Sequence, residues 1–226
     1  MNKPNARTYG GITVAHFGGS GDIRTNLTSA ELTDLEILVG DFDVKTALVM
    51  GAELEPLTIA LHYISGARAT AGVGAFGSWH DPYGPRMKAT VPVGLNIPMF
   101  ETTSSDPAML ESVVNDSFDG SSLDVVVDMG TSSLARPGAF WSLLPRMSPG
   151  ARYLLRRITP KDISAKIGTA QLESPDIVAR VTAIPSYDVA VLSYEASLRL
   201  PDATSPISRI TLGRSWVTIE LATSEV

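Results

Sequence analysis

Val189-Ala-Val-Leu-Ser-Tyr-Glu-Ala-Ser-Leu-Arg-Leu-Pro201 is the stretch on which the reading of the fold turns. From Leu192 to Leu200 the apolar set Leu192, Tyr194, Ala196, Leu198 and Leu200 alternates without a break against Ser193, Glu195, Ser197 and Arg199. A period of two marks a strand with one face in water. Pro201 has no backbone N–H and ends the ladder, while Ile184-Pro-Ser-Tyr-Asp188 supplies a turn before it. A strand of this length suits the spine of a sheet.

Working outward, Arg209 to Leu212 and Trp216 to Leu221 follow it as a closing pair, and Ile167 to Leu172 and Ile177 to Ala183 precede it. Arg152 to Ile158 reads as a strand, as does Leu123 to Met129, where Leu123, Val125, Val127 and Met129 oppose Asp124, Val126 and Asp128. Leu57 to Ile64 alternates Leu57, Ile59, Leu61 and Tyr63 on one face, with His62 on the other, and is also expected as a strand. Ala69 to Phe76 and Met87 to Leu95 are extended, the latter held to an edge by Pro92. Leu32 to Val39 opens like a helix, with Ser29 as cap and Glu31 and Asp34 in a first turn, but its Ile37-Leu-Val39 ending favours a strand.

Helical signals are few. Asp106 caps and Pro107 starts a short helix through Asn115, and Pro137 to Leu144 forms a second, stopped by Pro145. With no regular strand-helix-strand rhythm and no internal repeat, the pattern predicts an all-β, antiparallel jelly-roll β-sandwich with one or two short helices in loops. Residues 1–30, rich in Gly, Asn, Ser and Thr, are expected as an extended N-terminal arm, partly ordered on neighbours, with one apolar run from Ile12 to Phe17; residues 31–226 form the single domain.

Composition narrows the function. Hydrophobic residues make up 44% of the 226 and charged residues 19%, an ordinary globular balance. The absence of cysteine excludes a disulfide framework, a zinc ribbon and a thiol nucleophile. A net charge of −6 is the wrong sign for a stand-alone nucleic-acid binder. No apolar run reaches membrane-spanning length and the N-terminus lacks a secretory apolar stretch, so a soluble, uncleaved protein is expected.

Catalytic signals are sparse. His16, His62 and His80 are far apart; Ser78, His80 and Asp81 sit too close along an extended chain to form a relay. Gly18-Gly-Ser-Gly-Asp22 lacks the Lys-Ser/Thr ending of a phosphate loop, and neither a Gly-x-Ser-x-Gly elbow nor a His-Glu-x-x-His pair occurs. Leu123-Asp-Val-Val-Val-Asp-Met-Gly130 is similar to the strand-to-glycine loop of methyltransferases, but Pro137 stands where the following helix should run, which sets that reading aside. Asp41 and Asp43 are spaced to share a calcium ion, without an EF-hand pattern around them. Trp79, Tyr83 and Trp141 are the aromatics a carbohydrate-binding module would use.

Three landmarks carry a family resemblance: Leu57 to Asp81, Asp162 to Leu172 with Gly168, and Val191 to Pro201 with Tyr194 and Leu198. In this order they resemble the single jelly-roll coat proteins of small isometric plant RNA viruses, the tombusvirus-like and sobemovirus-like shells. The resemblance implies a non-enzymatic coat protein without cofactor, apart from a structural calcium at Asp41 and Asp43. Many copies would close into a shell around genomic RNA, with synthesis in the host cytoplasm and residence in the virion. A basic arm is missing, since residues 1–30 hold only Lys3, Arg7 and Arg24. Nucleic-acid contact is therefore expected from the denser run Arg146, Arg152, Arg156, Arg157 and Lys161, with Lys166 beyond it. The alternative is a non-assembling β-sandwich binding module, movement-protein-like or carbohydrate-binding.

Overall fold

Val125, Val126 and Val127 are consecutive, point alternately to opposite sides of an extended chain, and are all buried. A strand buried on both faces requires a covering layer on each, which is the arrangement of a parallel sheet between helices rather than of a sandwich with a wet side. The computed structural model has that arrangement; it describes residues 6–15, 20–25, 27–51, 54–74, 97–101, 107–129, 136–156, 207–213 and 215–223.

In chain order the elements are β1 (Ala6–Tyr9), β2 (Ile12–Ala15), β3 (Ile23–Arg24), α1 (Ser29–Gly40), β4 (Thr46–Gly51), α2 (Leu54–Ser65), β5 (Ala69–Gly74) and β6 (Met99–Glu101). There follow α3 (Pro107–Phe118), β7 (Leu123–Met129), α4 (Arg136–Leu143) with a 3-10 turn at Leu144–Arg146, β8 (Met147–Arg156), β9 (Ile207–Leu212) and β10 (Trp216–Leu221). Seven strands form one sheet in the order β6-β5-β4-β7-β8-β10-β9. Pairing is parallel from β6 through to β8, and β10 runs antiparallel to both β8 and β9. Counted in chain order within this sheet, the strands lie 3-2-1-4-5-7-6, with the last strand alone reversed. A separate three-stranded sheet, β1-β2-β3, joins the same hydrophobic cluster as α1 and α2 through Val14 and Ile23.

Each face of the large sheet carries its own core. Leu48, Met50, Val73, Val126, Tyr153 and Leu155 face α3 and α4, which contribute Leu110, Val113, Val114, Phe118, Phe140 and Leu143. Ala47, Val49, Val125, Val127 and Leu154 face α1 and α2. Among the described residues no helix is long and apolar enough to cross a membrane.

The jelly-roll expectation is overturned, and the reasons are local. Leu57 to Ile64 lies in α2, not in a strand. Leu57, Thr58, Ile59, Ala60 and Leu61 are each at most 1% exposed, so the helix has scarcely a wet face to impose a 3.6-residue rhythm, and alternation of large and small residues imitates period two. Leu32 to Val39 lies in α1. Its start is fixed by a capping box one residue earlier than Ser29: the Thr28 hydroxyl accepts from the Glu31 N–H, and the Glu31 carboxylate accepts from the Thr28 N–H. Pro137 is the second residue of α4, where the missing N–H removes no helical bond, so it opens the short helix expected from Pro137 to Leu144 and is no ground for setting aside a strand-loop-helix reading after β7. The predicted strands at Ile167 to Leu172, Ile177 to Ala183, Met87 to Leu95 and Val189 to Pro201 lie outside the described residues, as do two of the three coat-protein landmarks.

Candidate functional site

In open parallel sheets ligands bind outside the carboxyl ends of the strands, where the strand order reverses direction. Here the chain runs from β4 outward through β5 and β6, then returns to place β7 on the other side of β4, so the reversal falls between β4 and β7. The register there pairs Met50 with Asp128 and Gly51 with Met129.

Two glycines shape this point. Gly51 ends β4 with φ +98°, a conformation that side chains rarely adopt, and α2 begins just beyond it at Leu54. Gly74 ends β5 against it: a Cβ at Gly74 would stand 2.6 Å from the Gly51 carbonyl oxygen. The two strand ends meet this closely because Gly74 carries no side chain.

Asp128 is the acidic side chain of the site. It is 1% exposed, and the Tyr153 hydroxyl donates to its Oδ2 at 2.9 Å. The Tyr153 ring is in turn met edge-on by Phe140, with centroids 5.1 Å apart. Asp124 serves the opposite end of the same strand, where its Oδ2 accepts from the N–H groups of Lys45 (2.7 Å) and Thr46 (3.1 Å) and fixes the start of β4. Thus one aspartate of Leu123-Asp-Val-Val-Val-Asp-Met129 anchors the strand and the other stands beside the reversal point.

The residues singled out from sequence are not brought together here. Arg146 donates to the Asn115 side-chain oxygen. Arg152 donates to the Leu38 carbonyl (2.5 Å) and to Asp41 Oδ1 (2.6 Å), with its guanidinium 4.4 Å from the centre of the Phe42 ring. Arg156 pairs with Glu31 at 2.6 Å. Arg157, Lys161 and Lys166 lie outside the described residues. Asp41 is thus engaged by a cation, which holds its carboxyl below the ordinary range, and Asp43 is exposed; among the described residues no group of three or more His, Cys, Asp or Glu side chains is placed to hold a metal ion. His62 lies on α2 with Nδ1 3.1 Å from the Thr70 hydroxyl, and burial pushes its pKa down. Trp141 packs against the α3/α4 core and edge-on to Phe140; His16, Ser78, Trp79, His80, Asp81 and Tyr83 lie outside the described residues. Gly51 was missed because a single glycine after an apolar run is a weak signal, and Tyr153 because nothing in Arg152 to Ile158 marks it as a partner for Asp128.

No family model and no curated protein matches the chain. Solved structures do. The O-methyltransferase TomG from Streptomyces achromogenes, involved in tomaymycin synthesis and solved with SAM, aligns at TM-score 0.54 and 16% identity over 88% of this chain and 82% of that one. The O-methyltransferase from Bacillus cereus in complex with SAH aligns at TM-score 0.52 and 11% identity over 87% and 82%. The MycE methyltransferase of mycinamycin biosynthesis, solved with Mg and SAH, aligns at TM-score 0.53 and 14% identity over 87% of this chain but 48% of its own, so the chain spans about half of MycE. The readings as virion coat protein and as β-sandwich binding module both rested on a sandwich that the sheet order excludes. The expectations of no enzymatic activity and no cofactor rested on the same premise and are corrected with it, since the structures of this shape are methyltransferases solved with SAM or SAH. The chain has the fold of these methyltransferases.

Proposed function

We propose that the chain is a methyltransferase that binds S-adenosylmethionine (SAM) at the carboxyl ends of β4, β5 and β7. The observation that carries the reading is the strand order 3-2-1-4-5-7-6 with its reversed last strand, which puts a glycine turn and a buried carboxylate at the reversal point. The residues there fit SAM better than a dinucleotide. Gly51-Ala-Glu-Leu-Glu-Pro56 has one glycine where the dinucleotide fingerprint needs three, two of which serve the backbone approach to pyrophosphate and the packing of its helix. SAM has no phosphate. Its need is for a tight turn against the ligand, which Gly51 supplies, one residue along the register from the buried, acidic Asp128. When bound, SAM provides an activated methyl group; the chain's own part is to seat it and exclude water.

Isothermal titration of the purified protein with SAM and with S-adenosylhomocysteine (SAH) tests this. Binding with Kd of about 1 to 100 μM is expected. Gly51→Val, which places a β-branched side chain in a positive-φ turn, should weaken binding by more than about tenfold while circular dichroism shows the fold retained. If neither ligand heats the cell at protein concentrations well above this range, the proposal fails.

A further inference from the structure

The seam between α1 and the strands β9 and β10 is not closed. Asp34, Ile37 and Leu38 on the helix and Thr211, Trp216 and Thr218 on the strands line an open groove of about 200 Å³. Ile37 stands on its rim at 64% exposure, the more exposed of the two large apolar side chains that the described surface leaves in water, the other being Met109. An apolar knob and a hole able to admit one thus lie side by side on the same surface, and a second copy of the chain offers to each what it lacks. The charges agree with this. Val217 and Ile219 face α3 and α4, so Thr218 and Glu220, which alternate with them, point to the α1 side, and their register partners Thr211 and Arg209 share that face. At one end of the groove Asp34 accepts from the Ser215 hydroxyl and meets no cation among the described residues. Beyond Thr211, at the other end, the Arg209 side chain stays 65% exposed while paired with Glu220.

We propose that this seam is a self-association surface on which two copies meet about a two-fold axis, Ile37 of each seated in the groove of the other and Asp34 of each against Arg209 of the other. The inference is independent of the proposed function. An anion at one end of a groove and a cation at the other make it complementary to itself, since a two-fold operation that exchanges the ends brings opposite charges together twice. The contact is small. Over its twelve residues α1 rises only about 18 Å, so the face falls well short of the about 800 Å² per partner of a standard stable interface. Association is accordingly weak, with a Kd of about 10 to 100 μM. Burial of Ile37 drives it, and the exposed charge pairs, which contribute little to affinity, fix which way round the copies sit.

Sedimentation equilibrium of the whole chain between about 5 and 500 μM tests this. The average mass should rise from that of the monomer toward that of the dimer and stop there, because a two-fold contact closes on itself. Ile37→Asp changes a side chain that already lies in water, so the fold should survive, and association should weaken by more than about tenfold. Asp34→Lys and Arg209→Glu, each checked for folding by circular dichroism, should each weaken self-association about fivefold or more. An equimolar mixture of these two should associate more strongly than either alone, because only the mixed pair sets opposite charges together at both contacts. A chain that stays monomeric over the whole range overturns the inference, as does Ile37→Asp pairing as well as wild type. A mixture that associates no better than its components overturns it too. Should a charge variant fail to fold, the comparison of wild type with Ile37→Asp decides alone.

Discussion

The α3/α4 layer and helix α1, on opposite faces of the large sheet, are held by different forces. On the α3/α4 face, Leu110, Val113, Val114, Phe118, Phe140 and Leu143 are no more than 3% exposed and dock the helices by apolar volume. On the other face α1 buries only Leu32, Leu35 and Val39, and its rim is tied down by polar contacts. Arg7 pairs with Glu36, Arg156 with Glu31 and Arg152 with Asp41, while the Ser215 hydroxyl donates to Asp34 at 2.7 Å and the Trp216 indole to the Glu31 carbonyl at 3.0 Å. An acidic helix without basic residues in its last turn would leave its C-terminal carbonyls unsupported, and Arg152 supplies the missing cation by donating to Leu38. Docking of α3 and α4 should therefore ignore salt and pH, and docking of α1 should respond to both.

The sharpest way to break that contrast is to empty volume on the apolar face. Phe140 is fully buried and touches both Trp141 and Tyr153 edge-on. Phe140→Ala should cost about 3 to 5 kcal/mol, read from the urea midpoint, and the loss should be the same at low and high salt. A loss that shrinks in salt would mean that electrostatics holds this face as well. A middle-sized effect is expected where neither face dominates. Gly74→Ala pushes a Cβ to 2.6 Å from a backbone oxygen that cannot swing aside, and should cost about 1 to 3 kcal/mol. If Gly74→Ala is neutral by the same assay, the close approach of β4 and β5 is not needed for the fold.

The same difference between faces explains what the sequence discloses. Leu123 to Met129 and Trp216 to Leu221 are legible as strands because β-branched residues crowd into short runs with clear ends. The helix beginning at Pro107 is legible because proline at its first position is a local signal. Leu57 to Ile64 is not, because its periodicity is set by what packs on it from several sides, and burial of Thr58 and Ala60 cannot be read from residue type. For α1 the information was present in Thr28-Ser-Ala-Glu31, but the β-branched ending at Ile37 and Val39 outweighed it, and a helix clamped by distant arginines tolerates that ending. Of the site, Asp128 stood in the right loop by resemblance, yet its partner Tyr153 lies 25 residues away and its neighbour Gly51 is brought in only by strand order. Parallel pairing joins segments that share no local signal, which is why the site was less legible than the elements that build it.

The smallest effect, and the one that tests the polar face directly, lies in the Glu31–Arg156 pair. Burial works against charge on Glu31, yet Arg156 and Thr28 outweigh it and hold the carboxyl below its ordinary 4.5. Arg152 does the same for Asp41 against an ordinary 3.8. A carboxyl whose folded pKa is depressed contributes stability that is fully present above the unfolded value and is lost as pH falls through the folded one. Docking of α1 should therefore be unaffected from neutrality down to about pH 5 and weaken progressively below it. Arg156→Ala and Glu31→Gln should each cost about 0.5 to 1.5 kcal/mol at neutral pH, with the double variant costing less than the sum. The cost of Glu31→Gln should fade in acid, where the wild-type carboxyl has itself lost its charge. Trp216 supplies a local reading beside the urea midpoint, since its indole is buried against the Glu31 carbonyl and would meet water if α1 lifted. If Glu31→Gln costs as much in acid as at neutrality, packing of the side-chain stems rather than their charge holds α1, and α1 is secured in the same way as the α3/α4 layer after all.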